Sequence, residues 1–222
     1  MSKFLNRHSE GWQCAQDTVF NRLVSDVKAN RLKYKRVKAS SADFTEEILV
    51  EDKFKLYESQ LIKDELTGLF NTHYFSEKLP KELQRCKRYK RPFSLMFISI
   101  DRLSQLQKLY GNLLLCQVLQ QEAQTLIGSI REVDLAFRVG LDQFVVIFPE
   151  TYSSKATIVG QRICNRTRSQ SINSGTNTVI ATVSIGIASF PTHGRQEKEL
   201  IATAWQLMKT AQKSGGNQVL TS

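Results

Sequence analysis

The stretch LAFRVGLDQFVVIF, Leu135 to Phe148, decides the fold. Two β-favouring runs, near Leu135 to Val139 and Gln143 to Phe148, are separated only by about Gly140 to Asp142, a spacing that predicts a hairpin. The apolar run Phe144 to Phe148 suits a buried strand, and Leu95 to Ile100 upstream suits another.

Working outward, the pattern alternates. A helix is predicted from about Asn71 to Arg88, a strand over Phe93 to Ile100, and helical sequence from there to Ile130. Beyond the hairpin come a helix near Ser154 to Arg168, a β-rich run over Thr178 to Phe190, a helix over Glu197 to Lys213 and a short strand at Gln218 to Leu220. Pro191 and Gly194 mark the turn before that last helix, and Asn173 to Asn177 reads as a polar loop. This order places helices on the faces of one mixed sheet, an α/β sandwich.

Residues 1–60 read as an N-terminal helical extension and 61–222 as the main domain. Val50, Phe54, Tyr57 and Leu61 follow the steps of a short coiled-coil seam, a possible homodimer contact, and Asp43 with Glu46 forms a capping box ahead of it. The N-terminus has no apolar stretch of signal-peptide length and no segment long enough to span a bilayer, so a soluble cytoplasmic protein is expected. The scattered Cys14, Cys86, Cys116 and Cys164 form no metal or redox spacing and read as free buried thiols.

A net charge of +10 over 222 residues is concentrated in Lys28 to Lys38 and Lys78 to Arg91. These tracts suit anionic lipid, nucleic acid or an acidic protein, or are simply solvated helix faces; neither has the context of a nucleic-acid reader. His8, His73 and His193 are far apart with no nucleophile nearby, which argues against a catalytic triad.

Four segments in fixed order, DELTGLFNTHYF (64–75), RVGLDQF (138–144), VSIGIASFP (183–191) and AQKSGGNQV (211–219), resemble the GGDEF family of diguanylate cyclases. The resemblance implies a nucleotidyl-cyclase-like domain with a central, mixed, mostly antiparallel sheet of about five strands flanked by helices. In active members two such domains bring two GTP molecules face to face, and two metal ions polarise the α-phosphate.

Carried onto this chain, the family's pattern is broken at several points. The D-x-D metal position reads Ser99-Ile100-Asp101, and Asp101 reads as a cap for the helix starting at Arg102 rather than as a metal ligand. The signature is Gly140-Leu141-Asp142-Gln143-Phe144, in which one acid, Asp142, is kept; a leucine resists the positive φ that a second glycine permits. Guanine-reading positions hold Gln107 and Cys116, and two phosphate-clamping cations correspond to Gln212 and Gly216. The resemblance therefore implies a degenerate member with no catalytic residues, no metal ligands and no cofactor.

What is retained is RxxD, Arg131-Glu132-Val133-Asp134, placed five residues before the signature as in the family's inhibitory site for cyclic di-GMP. Arg131 suits the guanine Hoogsteen edge and Asp134 the Watson–Crick donors, with Arg162 of GQRI the candidate third residue; a turn salt bridge between Arg131 and Asp134 is the plainer alternative. Trp205 replaces an acid of the family and suits a protein contact, the nucleotide cleft or core packing. The leading expectation is an inactive cyclic di-GMP receptor that signals to a protein partner. The alternatives are a ligand-independent interaction module and a residual cyclase resting on Asp101 and Asp142.

Overall fold

The apolar run Phe93 to Ile100 is buried at every position, as a strand covered on both faces must be. It is the middle strand of a five-stranded sheet in a computed structural model that describes residues 62–174 and 177–221. The expected extension, its capping box and seam, the first basic tract, His8 and Cys14 lie outside those residues.

In chain order the elements are α1 (Thr72–Tyr89), β1 (Phe93–Ile100), α2 (Leu103–Ile127), β2 (Leu135–Arg138), β3 (Gln143–Pro149), α3 (Ser153–Ser169), β4 (Ser171–Ser174), β5 (Asn177–Ile180), β6 (Val183–Phe190), α4 (Glu197–Lys213) and β7 (Gln218–Thr221). The main sheet runs β2-β3-β1-β6-β7, antiparallel except for the parallel β6–β7 pair. β2 and β3 form the expected hairpin, with Arg138 opposite Phe144.

Side chains alternate across the sheet with the period of two that pleating imposes. Met96, Ile98, Ile100, Phe144 and Val146 pack with Leu114, Leu119 and Ile163 of α2 and α3. Leu95, Phe97, Val145 and Ile147 pack with Phe75, Leu79, Leu200 and Met208 of α1 and α4. Among the described residues no helix is long and apolar enough to cross a membrane.

Two expectations need correction. Asn173 to Asn177 is not simply a loop: Asn173, Ser174 and Asn177 themselves pair in the small β4–β5 hairpin, whose separate existence splits the long β-rich run near Ala181 and Thr182. The helical stretch after β1 is broken at Gly111, whose φ of 82° and ψ of −176° are not helical. Its φ lies in the region that glycine enters without a Cβ penalty.

Cys86 and Cys164 are buried thiols, and burial pushes Cys164 up to about 12 with help from the charges of Glu122 and Asp101. Cys116 is only half-buried, contrary to expectation.

Candidate functional site

Two parts of the molecule hold the residues singled out above. The first lies at the end of the sheet where β1, the β2–β3 turn, β6 and the α4–β7 connection meet. The register sets Ser99 opposite Gln143 on β3 and Ser184 on β6, which places Asp142 within reach of Ser99.

Here the polar groups pair with one another. Ser99 Oγ donates to Asp142 Oδ2 at 2.8 Å, and Gln212 Nε2 donates to Ser99 Oγ at 2.9 Å. Lys209 Nζ completes the chain by donating to Gln212 Oε1 at 3.0 Å. A continuous relay therefore runs from α4 through β1 to the hairpin turn.

Asp101 does not cap α2, contrary to one expectation. The N-cap is Arg102, which has a left-handed backbone and no side-chain capping bond. The Asp101 carboxylate instead accepts from Thr182 Oγ1 at 2.8 Å, Ser184 Oγ at 2.7 Å and the Asn217 N–H at 2.9 Å. Gly216 makes the last contact possible, because it has a φ of 77° and a Cβ there would stand 2.7 Å from Asp101 Oδ2.

The turn itself is organised by a residue that the sequence reading passed over. Arg138 donates from Nε to Gly140 O at 3.2 Å and from Nη2 to Leu141 O at 3.2 Å, and it pairs with Asp64 at 3.1 Å. Asp64 in turn accepts from the Thr67 N–H and hydroxyl. The DELTG and signature segments are thus physically joined, and the only advance signal was that both carried the family resemblance.

One further correction concerns the signature. No residue from Gly140 to Asp142 has a positive φ, so the leucine meets no dihedral penalty. Leu141 is 61% exposed at the turn. Phe144 is a core residue, fully buried, and contributes about 1.5–3 kcal/mol by leaving water. Gln143 lies partly buried beside Gly140.

Gln107 and Cys116 sit on α2 on opposite sides of the Gly111 break, and Gln107 Nε2 bridges to Asn112 Oδ1 at 2.9 Å. Trp205 packs against the core shared by α1 and α4, with Lys209 Nζ 5.7 Å from its ring. Core packing accounts for it. His193 Nδ1 accepts the Ser189 N–H at 2.9 Å, a turn contact.

The second part is the connection from α2 to β2. Asp134 is 6% exposed, and its Oδ2 accepts the main-chain N–H of Arg131 at 2.9 Å. This main-chain bond, rather than the expected salt bridge, closes the turn. Burial pushes the carboxyl above its ordinary range, opposed by that bond and by the Arg131 charge. Its Oδ1 is buried with no partner among the described residues.

Arg131 is exposed at the start of this turn, and Arg162 reaches it from α3 by donating to Ser129 O. Arg166, one helical turn further on and absent from the sequence reading, donates to Gly128 O at 2.6 Å and to Ser129 Oγ at 3.2 Å. Three guanidinium groups and one carboxyl therefore gather at one junction of α3 with the α2–β2 turn.

Among the described residues, no three His, Cys, Asp or Glu side chains converge as a metal ion requires.

The family model described as "Diguanylate cyclase, GGDEF domain" matches residues 61–218. The response regulator PleD of Caulobacter vibrioides is 29% identical over 161 residues, which are 72% of this chain and 36% of PleD. This chain thus spans about a third of that relative's length. The diguanylate cyclase SiaD of Pseudomonas aeruginosa, solved with its activator SiaC, shares the fold at a TM-score of 0.72 and 24% identity, covering 99% of this chain and 84% of SiaD. The GGDEF domain of DgcB from Caulobacter crescentus, solved with c-di-GMP, shares it at a TM-score of 0.68 and 22% identity, covering 72% of this chain and 92% of that domain. With the sheet order, the joined DELTG and signature segments and a family match over residues 61–218 in agreement, the chain belongs to the GGDEF domain family.

Proposed function

We propose that this protein is a receptor for cyclic di-GMP that does not synthesise it, and that it passes the ligand's presence to a protein partner. The observation that carries the reading is the gathering of Arg131, Asp134 and Arg162 at one junction. Guanidinium groups there suit guanine O6 and N7, and the unpartnered Asp134 Oδ1 suits the guanine N1 and N2 donors. Ligand binding redirects that side chain from its turn bond toward the base.

The absence of synthesis rests on chemistry at the other end of the sheet. Two-metal phosphoryl transfer needs carboxylates free to ligate cations, and donors placed where charge develops. The residues present do not fit that centre: Ser99 supplies a hydroxyl that occupies Asp142, and Asp101 is engaged by three donors. Gln212 binds Ser99 where a phosphate-clamping cation is expected.

Similar proteins supply precedent for the two contacts that the proposal needs, a dinucleotide and a protein: DgcB was solved with c-di-GMP, and SiaD with a protein activator. Residues 1–60 are proposed as the extension that relays ligand state or pairs two copies.

Titration calorimetry with cyclic di-GMP is the test. Micromolar or tighter binding, lost in Arg131→Ala and weakened in Arg162→Ala, is the expected result. No binding heat, or binding unchanged in both Arg131→Ala and Asp134→Ala, would overturn the reading. Conversion of labelled GTP with magnesium or manganese to a cyclic dinucleotide would overturn its non-catalytic half.

A ligand-independent interaction module is the competing reading, favoured by Leu109 and Leu113, large apolar side chains exposed on either side of Gly111. Partner capture that ignores added dinucleotide and survives Arg131→Ala would select it.

A further inference from the structure

The cations of Lys78 to Arg91 are not spread evenly over α1. The helix ends at Tyr89, and the chain turns through Lys90 at a φ of 51° with the Arg91 N–H on Cys86 O at 3.0 Å. Every residue from Lys87 to Arg91 is exposed, Tyr89 at 60%. Four of these five consecutive residues are cationic.

A second segment borders this turn. Arg91 pairs with Glu150 at 3.5 Å, and Ser94 Oγ donates to Thr151 O at 2.7 Å. Tyr152, 63% exposed, follows immediately at the start of α3. Two exposed tyrosines, Tyr89 and Tyr152, therefore each lie two positions along the chain from one member of the Arg91–Glu150 pair.

The acids nearby are already engaged. Glu82 pairs with Arg85 at 3.0 Å and Glu150 with Arg91. Glu199, which also feels the Lys87 charge, accepts from the N–H groups of Arg195 and Gln196 at 2.8 and 3.0 Å. Among the described residues no ion pair engages Lys87, Arg88 or Lys90. The Arg88 guanidinium lies 5.6 Å from the Tyr89 ring.

A run of exposed cationic chains with exposed tyrosines in it and beside its ion-paired end suits a planar anionic boundary. Lys and Arg extend their charged ends to phosphate while tyrosine rings settle at headgroup depth. A single-stranded nucleic acid instead calls for a groove that tracks its backbone past successive stacking rings.

We propose that this run docks the protein reversibly on an anionic membrane surface. The interaction is electrostatic in origin, so it weakens as salt screens it, and the tyrosines supply a remainder that salt does not remove. It is independent of cyclic di-GMP binding at the α2–β2 turn.

Co-sedimentation of the full chain with phosphatidylcholine vesicles, with and without phosphatidylglycerol, is the test. Binding is expected only to the anionic vesicles, and each exposed cation near the surface is worth about fivefold in affinity. The triple variant Lys87→Gln, Arg88→Gln, Lys90→Gln should therefore lose roughly a hundredfold. All three side chains are exposed, so its melting temperature should match the parent's. Tyr89→Ala with Tyr152→Ala should remove the binding that persists at high salt.

No binding to anionic vesicles at low salt would overturn the proposal. So would undiminished binding by the triple variant, which would move the interaction elsewhere on the chain. A single-stranded oligonucleotide that binds more tightly than the vesicles and is lost in the same triple variant would also overturn it, assigning the run to nucleic acid.

Discussion

The sheet end around Ser99 and the α2–β2 turn around Arg131 are both polar, yet they differ in what they leave unengaged. At the sheet end, Asp101, Asp142 and Gln212 are met from within by hydroxyls, an amide and a main-chain N–H. At the turn, Arg131 stays exposed and a buried acceptor, Asp134 Oδ1, has no partner among the described residues. A polar group satisfied inside the protein must break its bonds before it can serve a ligand, whereas Asp134 gives up one main-chain bond and its unsatisfied oxygen gains a ligand's hydrogen bond. The same fold thus carries one closed region and one that is open only at Arg131 and Asp134, Arg162 and Arg166 being held by the carbonyls of Ser129 and Gly128.

The largest effect should come from breaking the closed region. Asp101→Ala strands two hydroxyls and an N–H that join β1, β6 and the α4–β7 connection, and it should cost about 4 kcal/mol in urea denaturation. Cyclic di-GMP affinity should not follow that loss if the two regions are separate.

Next is a buried acid between α2 and α3. Glu122 on α2 is buried among Gln121, Thr167, Gln170 and Ile172, and its pKa is pushed up to about 7 from 4.5 by burial, with the Thr167 hydroxyl opposing. As pH rises past 4.5 the unfolded chain ionises this group first, so folding stability should fall between about pH 4.5 and 7 and then level off. A gap of that size corresponds to about 3 kcal/mol. Denaturation midpoints across that range should show the decline, and Glu122→Gln should flatten it.

At the turn itself, Arg131→Ala should weaken cyclic di-GMP binding about a hundredfold, about 2.8 kcal/mol, with little change in melting temperature because the side chain is exposed. Calorimetry and thermal melting together check both halves. The smallest effect is expected from Ser99→Ala, which removes the middle of the Gln212–Ser99–Asp142 relay and should cost about 1 kcal/mol without affecting the ligand.

The hairpin, the central strand and α4 were legible in the sequence because their signals are local. The run Phe93 to Ile100 was predicted with the bounds it has, and Glu197 to Lys213 likewise. The break at Gly111 was missed because one glycine in a helical pattern is compatible with continuity. β4 was missed because its polar residues read as loop, although Ile172 and Val179 face each other across the small hairpin. Of the site, Arg131, Asp134 and Arg162 were named in advance, while Arg166 and Arg138 were not, since an arginine on a helix or strand carries no mark of the carbonyls that it will reach.

By itself, then, the sequence determined the residue types available at the Ser99 end and at the α2–β2 turn, and the order of elements that carries them, because periodicity and turn chemistry act over a few neighbouring residues. Only the tertiary structure decided what each polar group is used for. Asp101 looked like a helix cap from its neighbours, yet its partners lie 81, 83 and 116 positions away in the chain. A carboxylate takes the donors that the packed sheet brings to it, and no local pattern records which strand will supply them.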